Sequence, residues 1–303
     1  MIKIFALKTV ARAAHAAVLG VAMGVTAQVA PVLAAGDCLH IDRQKDWSFA
    51  GPRGTFDKPQ LQRGFQVYQQ VCSACHGLKR VNFRNLAEAG GPGFPVESVK
   101  GLAASWPNQI FQGPNDQGLI ATSKGQIIKQ PAKMSDPILG PYDNDNAARA
   151  AQNGALPPDL SLMAKARSVE YCGPIWAHPF HMLADITRGY QEGGADYVYA
   201  LLTGYANAPA NMKMSDGMNY NSAFPGHQIA MVPPLVPGQV KYEDKATSAT
   251  VEQYAKDVTA FLMWAGDPKL EERKSMGWKV MLYLLITALL LYFAKKRIWS
   301  RAH

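Results

Sequence analysis

Pro59-Gln60-Leu61-Gln62-Arg63-Gly64-Phe65-Gln66-Val67-Tyr68-Gln69-Gln70-Val71 runs directly into Cys72-Ser73-Ala74-Cys75-His76. Leu61, Phe65, Tyr68 and Val71 recur at helical spacing, which predicts an amphipathic helix. Pro59 suits its first turn. The helix leads into C-x-x-C-H, the signature of covalent haem attachment. On a helix, residues i and i+3 share a face and i+4 lies beside them. Cys72 and Cys75 are therefore expected to form thioethers to the two haem vinyl groups, with His76 beneath the iron as proximal ligand. Redox dithiols share the C-x-x-C spacing, but no strand-then-helix redox unit surrounds this one. A structural zinc site needs a second ligand pair of similar spacing, and the sequence has none.

An electron-carrying haem needs a second axial ligand, a thioether or an imidazole. Met231 stands in His227-Gln228-Ile229-Ala230-Met231-Val232-Pro233-Pro234-Leu235, a segment stiffened by two prolines. Proline fixes φ and reduces the freedom lost when a loop is ordered. On the residues alone, His227, Met212, Met214 and Met218 remain alternatives. Downstream, Val251, Tyr254, Ala255, Val258, Phe261, Leu262 and Ala265 form an apolar stripe. It predicts a helix over 250–265, begun by a Thr250/Gln253 capping box and ended by Gly266-Asp267-Pro268. Gly- and Pro-containing stretches between 90 and 160 predict irregular loops. The expected fold is mainly α: a cytochrome c-like haem domain with loop insertions, and one C-terminal transmembrane helix.

The charge is divided along the 303 residues, which carry a net +8. Residues 1–35 hold three cations and no acids, and residues 273–303 hold seven and no acids. That leaves 21 cations against all 23 acids between them, a net of −2. The middle has no basic stripe, so nucleic-acid binding is excluded. Residues 1–35 read as a cleaved signal peptide, with a cationic start, a short apolar run and a small-residue end at Pro31-Val32-Leu33-Ala34-Ala35. Residues 36–272 are then an exported, periplasmic haem domain. Residues 273–303 read as the anchor, with a span of about 277–294 and a short tail. Lys295-Lys296-Arg297 follow the span and place that end in the cytoplasm. The expected location is the bacterial inner membrane. Cys38 and Cys172, a leftover pair in an oxidising compartment, predict a disulfide.

Several segments together resemble the cytochrome c1 family of the quinol–cytochrome c oxidoreductase, the cytochrome bc1 complex. They are the haem helix from Arg63 to His76, Asn153-Gly154-Ala155-Leu156-Pro157-Pro158-Asp159-Leu160-Ser161, Asp196 to Tyr205, Phe224-Pro225-Gly226, Met231 to Pro234, Ala255 to Val258, and the tail from Arg273 through the anchor. The resemblance covers most of the chain from about residue 47. It implies one covalent haem c held by Cys72 and Cys75, with His76 proximal and Met231 distal. It also implies a proline-rich haem-edge loop containing Pro158, and a propionate beside Arg167 and Tyr197. The implied partners are cytochrome b and a Rieske iron–sulfur protein in one membrane complex, with a soluble cytochrome c as electron acceptor. The implied role is that of a redox subunit with no catalytic site beyond its haem. Residues 168–192, with Cys172, His178 and His181, form an insertion relative to the mitochondrial pattern.

Overall fold

The computed structural model describes residues 41–44, 46–106, 131–167, 174–187 and 192–300. Helix α1 (Lys58–Gln70) forms where the apolar stripe predicts, with proline in its first turn. It buries Leu61, Phe65, Val67 and Tyr68. Its chief neighbour is a helix of the C-terminal half (Val251–Gly266), buried on nearly every side from Tyr254 to Ala265. Gly64 lets the two backbones touch, because a Cβ there would lie 2.1 Å from the carbonyl oxygen of Asp257. Phe65 and Tyr68 then meet the ring of Phe261 at centroid distances of 5.5 and 5.9 Å.

A charged clasp closes the same contact. Arg63 donates from Nε and Nη2 to the two oxygens of Asp257, at 2.9 and 3.2 Å. Asp257 is fully buried and also accepts from Gln253 Nε2 at 2.9 Å. This alters the expected helix start. The Thr250 hydroxyl does accept from the Gln253 amide, but the Gln253 side chain turns inward to Asp257. Only half of the capping box forms, because the charge-assisted bond that the Gln253 amide nitrogen donates to Asp257 draws the side chain away from the Thr250 N–H.

Between these two helices in the chain lie α2 (Val96–Ala104), α3 (Asp145–Ala151), α4 (Met163–Ala166), α5 (His178–Thr187) and α6 (Gly193–Thr203). The Val251–Gly266 helix is α7. Helices α4 and α6 pack on each other and on α7. The stretch 90–160, expected to be irregular, contains α2 and α3. Four alanines favour α3, and Asn144 caps it by accepting from the Ala147 amide at 2.9 Å. Among the described residues there are two short antiparallel ladders in the head: β1 (Leu78–Asn82) with β2 (Pro137–Ile138), and β3 (Asn219–Tyr220) with β4 (Gln228–Ile229). The fold is mainly α, as expected.

Helix α8 (Leu270–Trp299) is unbroken over 30 residues. The charged stretch 271–275 is its opening turns. At ~1.5 Å per residue it is ~45 Å long, and it is long and apolar enough to cross a membrane. Its start is welded to the head. Leu270 is buried, Glu271 accepts from the Phe56 amide at 2.7 Å, and Lys274 Nζ donates to the carbonyl of Phe49 at 2.6 Å. Asp267, just before α8, accepts from Lys165 at 3.0 Å and from Arg273. The expected signal peptide, 1–35, lies outside the described residues.

Candidate functional site

Helix α1 stops at Val71, and Cys72–Ala74 form a 3₁₀ turn. The amides of Cys75 and His76 both donate to the carbonyl of Cys72, at 3.1 and 2.9 Å. The signature therefore sits on a tighter turn than the helix read from its spacing. In a 3₁₀ turn, side chains at i and i+3 eclipse, which brings the two cysteines alongside each other. Both are half-buried and neither is in a disulfide. Burial, together with the neighbouring Cys75, pushes the Cys72 thiol up to about 12. That is opposite to the activated thiolate of a redox dithiol.

His76 is oriented by a distant loop. Its Nδ1 lies 2.8 Å from the carbonyl oxygen of Pro158. Only a protonated Nδ1 can donate to a carbonyl, so the Nε2 lone pair is left for a metal. Burial holds the imidazole below its usual pKa, against the opposing pull of that hydrogen bond and of Asp159, so the ring is neutral at neutral pH.

The proline-rich loop is itself pinned down. Asp159 accepts from the amides of Lys79 (2.8 Å) and Ser161 (3.0 Å), and Leu160 donates to the carbonyl of Gly77 at 2.9 Å. Gly77 is obligatory, because a Cβ there would lie 2.5 Å from the backbone nitrogen of Gly140. On the Cys75 side a cavity of about 400 Å³ opens among Leu139, Tyr142, Ala148, Leu156 and Pro157.

A second group of residues gathers at the end of α6. Met231 follows the β3–β4 hairpin, and its carbonyl accepts from Tyr205 Oη at 3.1 Å and Asn219 Nδ2 at 3.4 Å. His227, an alternative ligand on sequence grounds, has a left-handed backbone (φ 55°). Its ring is engaged by the hairpin, stacked on Tyr220 with Nδ1 3.2 Å from the carbonyl of Asn221. Met218 is exposed, and Met212 and Met214 are half-buried in the preceding loop.

Tyr197, on α6, is buried, and Arg167, just after α4, is exposed. They are near enough for the guanidinium to act on the phenol, whose pKa is raised by burial and pulled back by that charge. Tyr205 is raised by burial and then by Tyr197, and stays a hydrogen-bond donor at neutral pH. The structure thus assembles Cys72, Cys75, His76 and Pro158 as one group, and Arg167, Tyr197 and Met231 as another. Tyr205 and Asn219 join the second group without having been singled out from the sequence. The one cue was a tyrosine directly after Gly204, where α6 ends. Cys38 and Cys172, the expected disulfide pair, lie outside the described residues.

The donor set fits a covalently bound haem. Two adjacent thiols stand beside a neutral histidine with Nδ1 engaged and Nε2 available, which defines a c-type cytochrome. The match extends well beyond that motif: the cytochrome C1 family model covers residues 47–302, and the chain belongs to that family. Its cofactor is a single covalent haem c. The chain is 45% identical to the cytochrome c1 of Blastochloris viridis, over 93% of this chain and 94% of that protein. It is 40% identical to the cytochrome c1 of Rhodospirillum rubrum, over 96% of this chain and 97% of that one. It is also 46% identical to a protein named cytochrome b/c1 from Bradyrhizobium diazoefficiens, over 85% of this chain but 35% of that longer protein.

Proposed function

We propose that this chain is the haem-bearing electron-transfer subunit of a membrane quinol–cytochrome c oxidoreductase. It takes electrons from a Rieske iron–sulfur protein and passes them to a soluble cytochrome c. The observation that carries the reading is the Cys72–His76 turn, with its imidazole locked by Pro158, in a head welded to a long apolar helix. The fused relative, named for both cytochrome b and c1, supports cytochrome b as a neighbour.

Haem supplies one-electron exchange between ferric and ferrous iron. Cys72 and Cys75 would hold it by thioethers, with His76 Nε2 and the Met231 thioether as the residues that would ligate its iron. Arg167 and Tyr197 would partner a propionate, whose buried charge needs such groups. The chain has no catalytic site of its own beyond this group. A middle region with a net charge of −2 suits a basic soluble acceptor. The signal peptide and the positive charges after the span place the head in the periplasm and the C-terminus in the cytoplasm, with α8 in the inner-membrane lipid. Cys38 and Cys172 form a disulfide there.

Purification in mild detergent tests the reading. The expected result is one covalent haem on this chain, copurifying with a b-type cytochrome and an iron–sulfur protein. A monohaem protein isolated alone under conditions that keep such complexes together overturns the assignment of partners.

A further inference from the structure

We propose that Tyr205 is a positioning residue for the distal thioether, acting by clamping the backbone carbonyl of Met231. This rests on the reading of Met231 as the distal ligand.

Met231 lies outside every helix and strand, in a segment where Val232 and Pro233 are exposed. A thioether is a weak ligand, so its hold on iron depends on how little the backbone beneath it can move. Among the described residues two side chains grip the Met231 carbonyl, the Tyr205 hydroxyl at 3.1 Å and the Asn219 amide at 3.4 Å. The two grips have different foundations. Asn219 belongs to the same small hairpin as the loop it holds. Tyr205 stands directly after α6 and Gly204, and α6 packs on the central helix α7. Tyr205 is therefore the direct link between the ligand's backbone and the rigid core.

The hairpin is tied to the same helix end. Asn221 is fully buried, donates to the carbonyl of Leu201 at 2.7 Å, accepts from the Ala223 amide at 3.0 Å and bridges Tyr205 through the backbone. An amide that satisfies the last turn of α6 while closing the hairpin turn fixes where the loop starts. Tyr205 then fixes the ligand residue itself. Tyr197 lies two turns earlier on α6, so this helix sets both the propionate-side tyrosine and the distal residue.

The test uses the full-length, membrane-anchored, haem-loaded protein and three variants: Tyr205→Phe, Asn219→Ala and Met231→Leu. Tyr205→Phe keeps the ring and removes only the donor. It is expected to retain both thioethers but to weaken the long-wavelength sulfur-to-iron absorption of the ferric form. It should also lower the midpoint potential and raise the fraction of ferrous protein that binds carbon monoxide by about tenfold, the loss of one hydrogen bond. Asn219→Ala should move the same readings in the same direction by less. It supplies the answer from the same carbonyl if Tyr205→Phe does not accumulate. An unchanged absorption, potential and carbon monoxide response in Tyr205→Phe overturns the proposal, while Met231→Leu still opening the iron leaves the ligand assignment standing. If Met231→Leu changes none of the three, the ligand assignment falls and this proposal with it.

Discussion

The carbonyl oxygen of Pro158 lies 2.8 Å from Nδ1 of His76, across 82 residues of chain. Neither residue holds the other alone. Asp159 fixes the carbonyl by accepting from the amides of Lys79 and Ser161. Asp159→Ala leaves the partly buried Ser161 amide without this acceptor and gives the exposed Lys79 amide over to water, which costs about 1–3 kcal/mol. The expected outcome is a lower denaturant midpoint together with a lower, broadened haem potential, since a loosened carbonyl no longer fixes the imidazole. An unfolding shift with an unaltered potential means that the loop serves stability alone.

Cys72 and Cys75 are free to react only where no thioether has formed. Alkylation of the unfolded, haem-loaded protein is expected to leave both sulfurs unmodified, and mass spectrometry should place the haem on the peptide containing them. Cys75→Ala should retain haem through Cys72 alone, with one vinyl group intact and the reduced absorption band displaced to longer wavelength. Labelling of both thiols in the mature protein contradicts covalent attachment.

Arg63 and Asp257 form a pair in which the carboxylate has no access to solvent. Removing Arg63 strands the buried carboxylate, so Arg63→Ala is expected to destabilise the head by about 3–5 kcal/mol. Replacing both by apolar residues of similar volume should recover most of that loss. Chemical denaturation of the detergent-solubilised protein, followed by haem absorbance, measures both.

Asp267 sits between Lys165 and Arg273. Burial raises its pKa, but the hydrogen bonds from Arg273 and Lys165 outweigh that and hold the carboxyl below its usual range. A lowered folded pKa contributes stability above the unfolded value of about 3.9. That contribution is lost as pH falls through the folded value. Wild type should melt above Asp267→Asn at pH 6, and the gap should close as pH drops below about 3.9. A gap independent of pH across that window assigns the effect to packing.

Much of this was readable before any coordinates. The haem signature, α1, α7 and the anchor are local patterns, carried by apolar spacing and by residue types with few competing uses. What stayed hidden depends on residues far apart in sequence. Gln253 has the spacing of a capping box and yet serves Asp257, because the buried carboxylate takes the donor end of its amide and swings the side chain inward, away from the Thr250 N–H. The 3₁₀ turn at Cys72 follows from how α1 ends, and no residue preference marks it. Helices α2 and α3 stood inside a stretch whose glycines and prolines read as loop. Tyr205 looked like the end of a helix block, and only the returning hairpin gives its hydroxyl a task.

Only Asp267, Pro268 and Lys269 separate the central helix α7 from α8, and Lys274, inside α8, still grips the head. The place of His76 relative to the start of α8 is therefore written into the chain at folding. A carrier on a slack leash gains reach by swinging. On the proposed function this one is a fixed platform on a mast, and any partner that trades electrons with it must do the travelling.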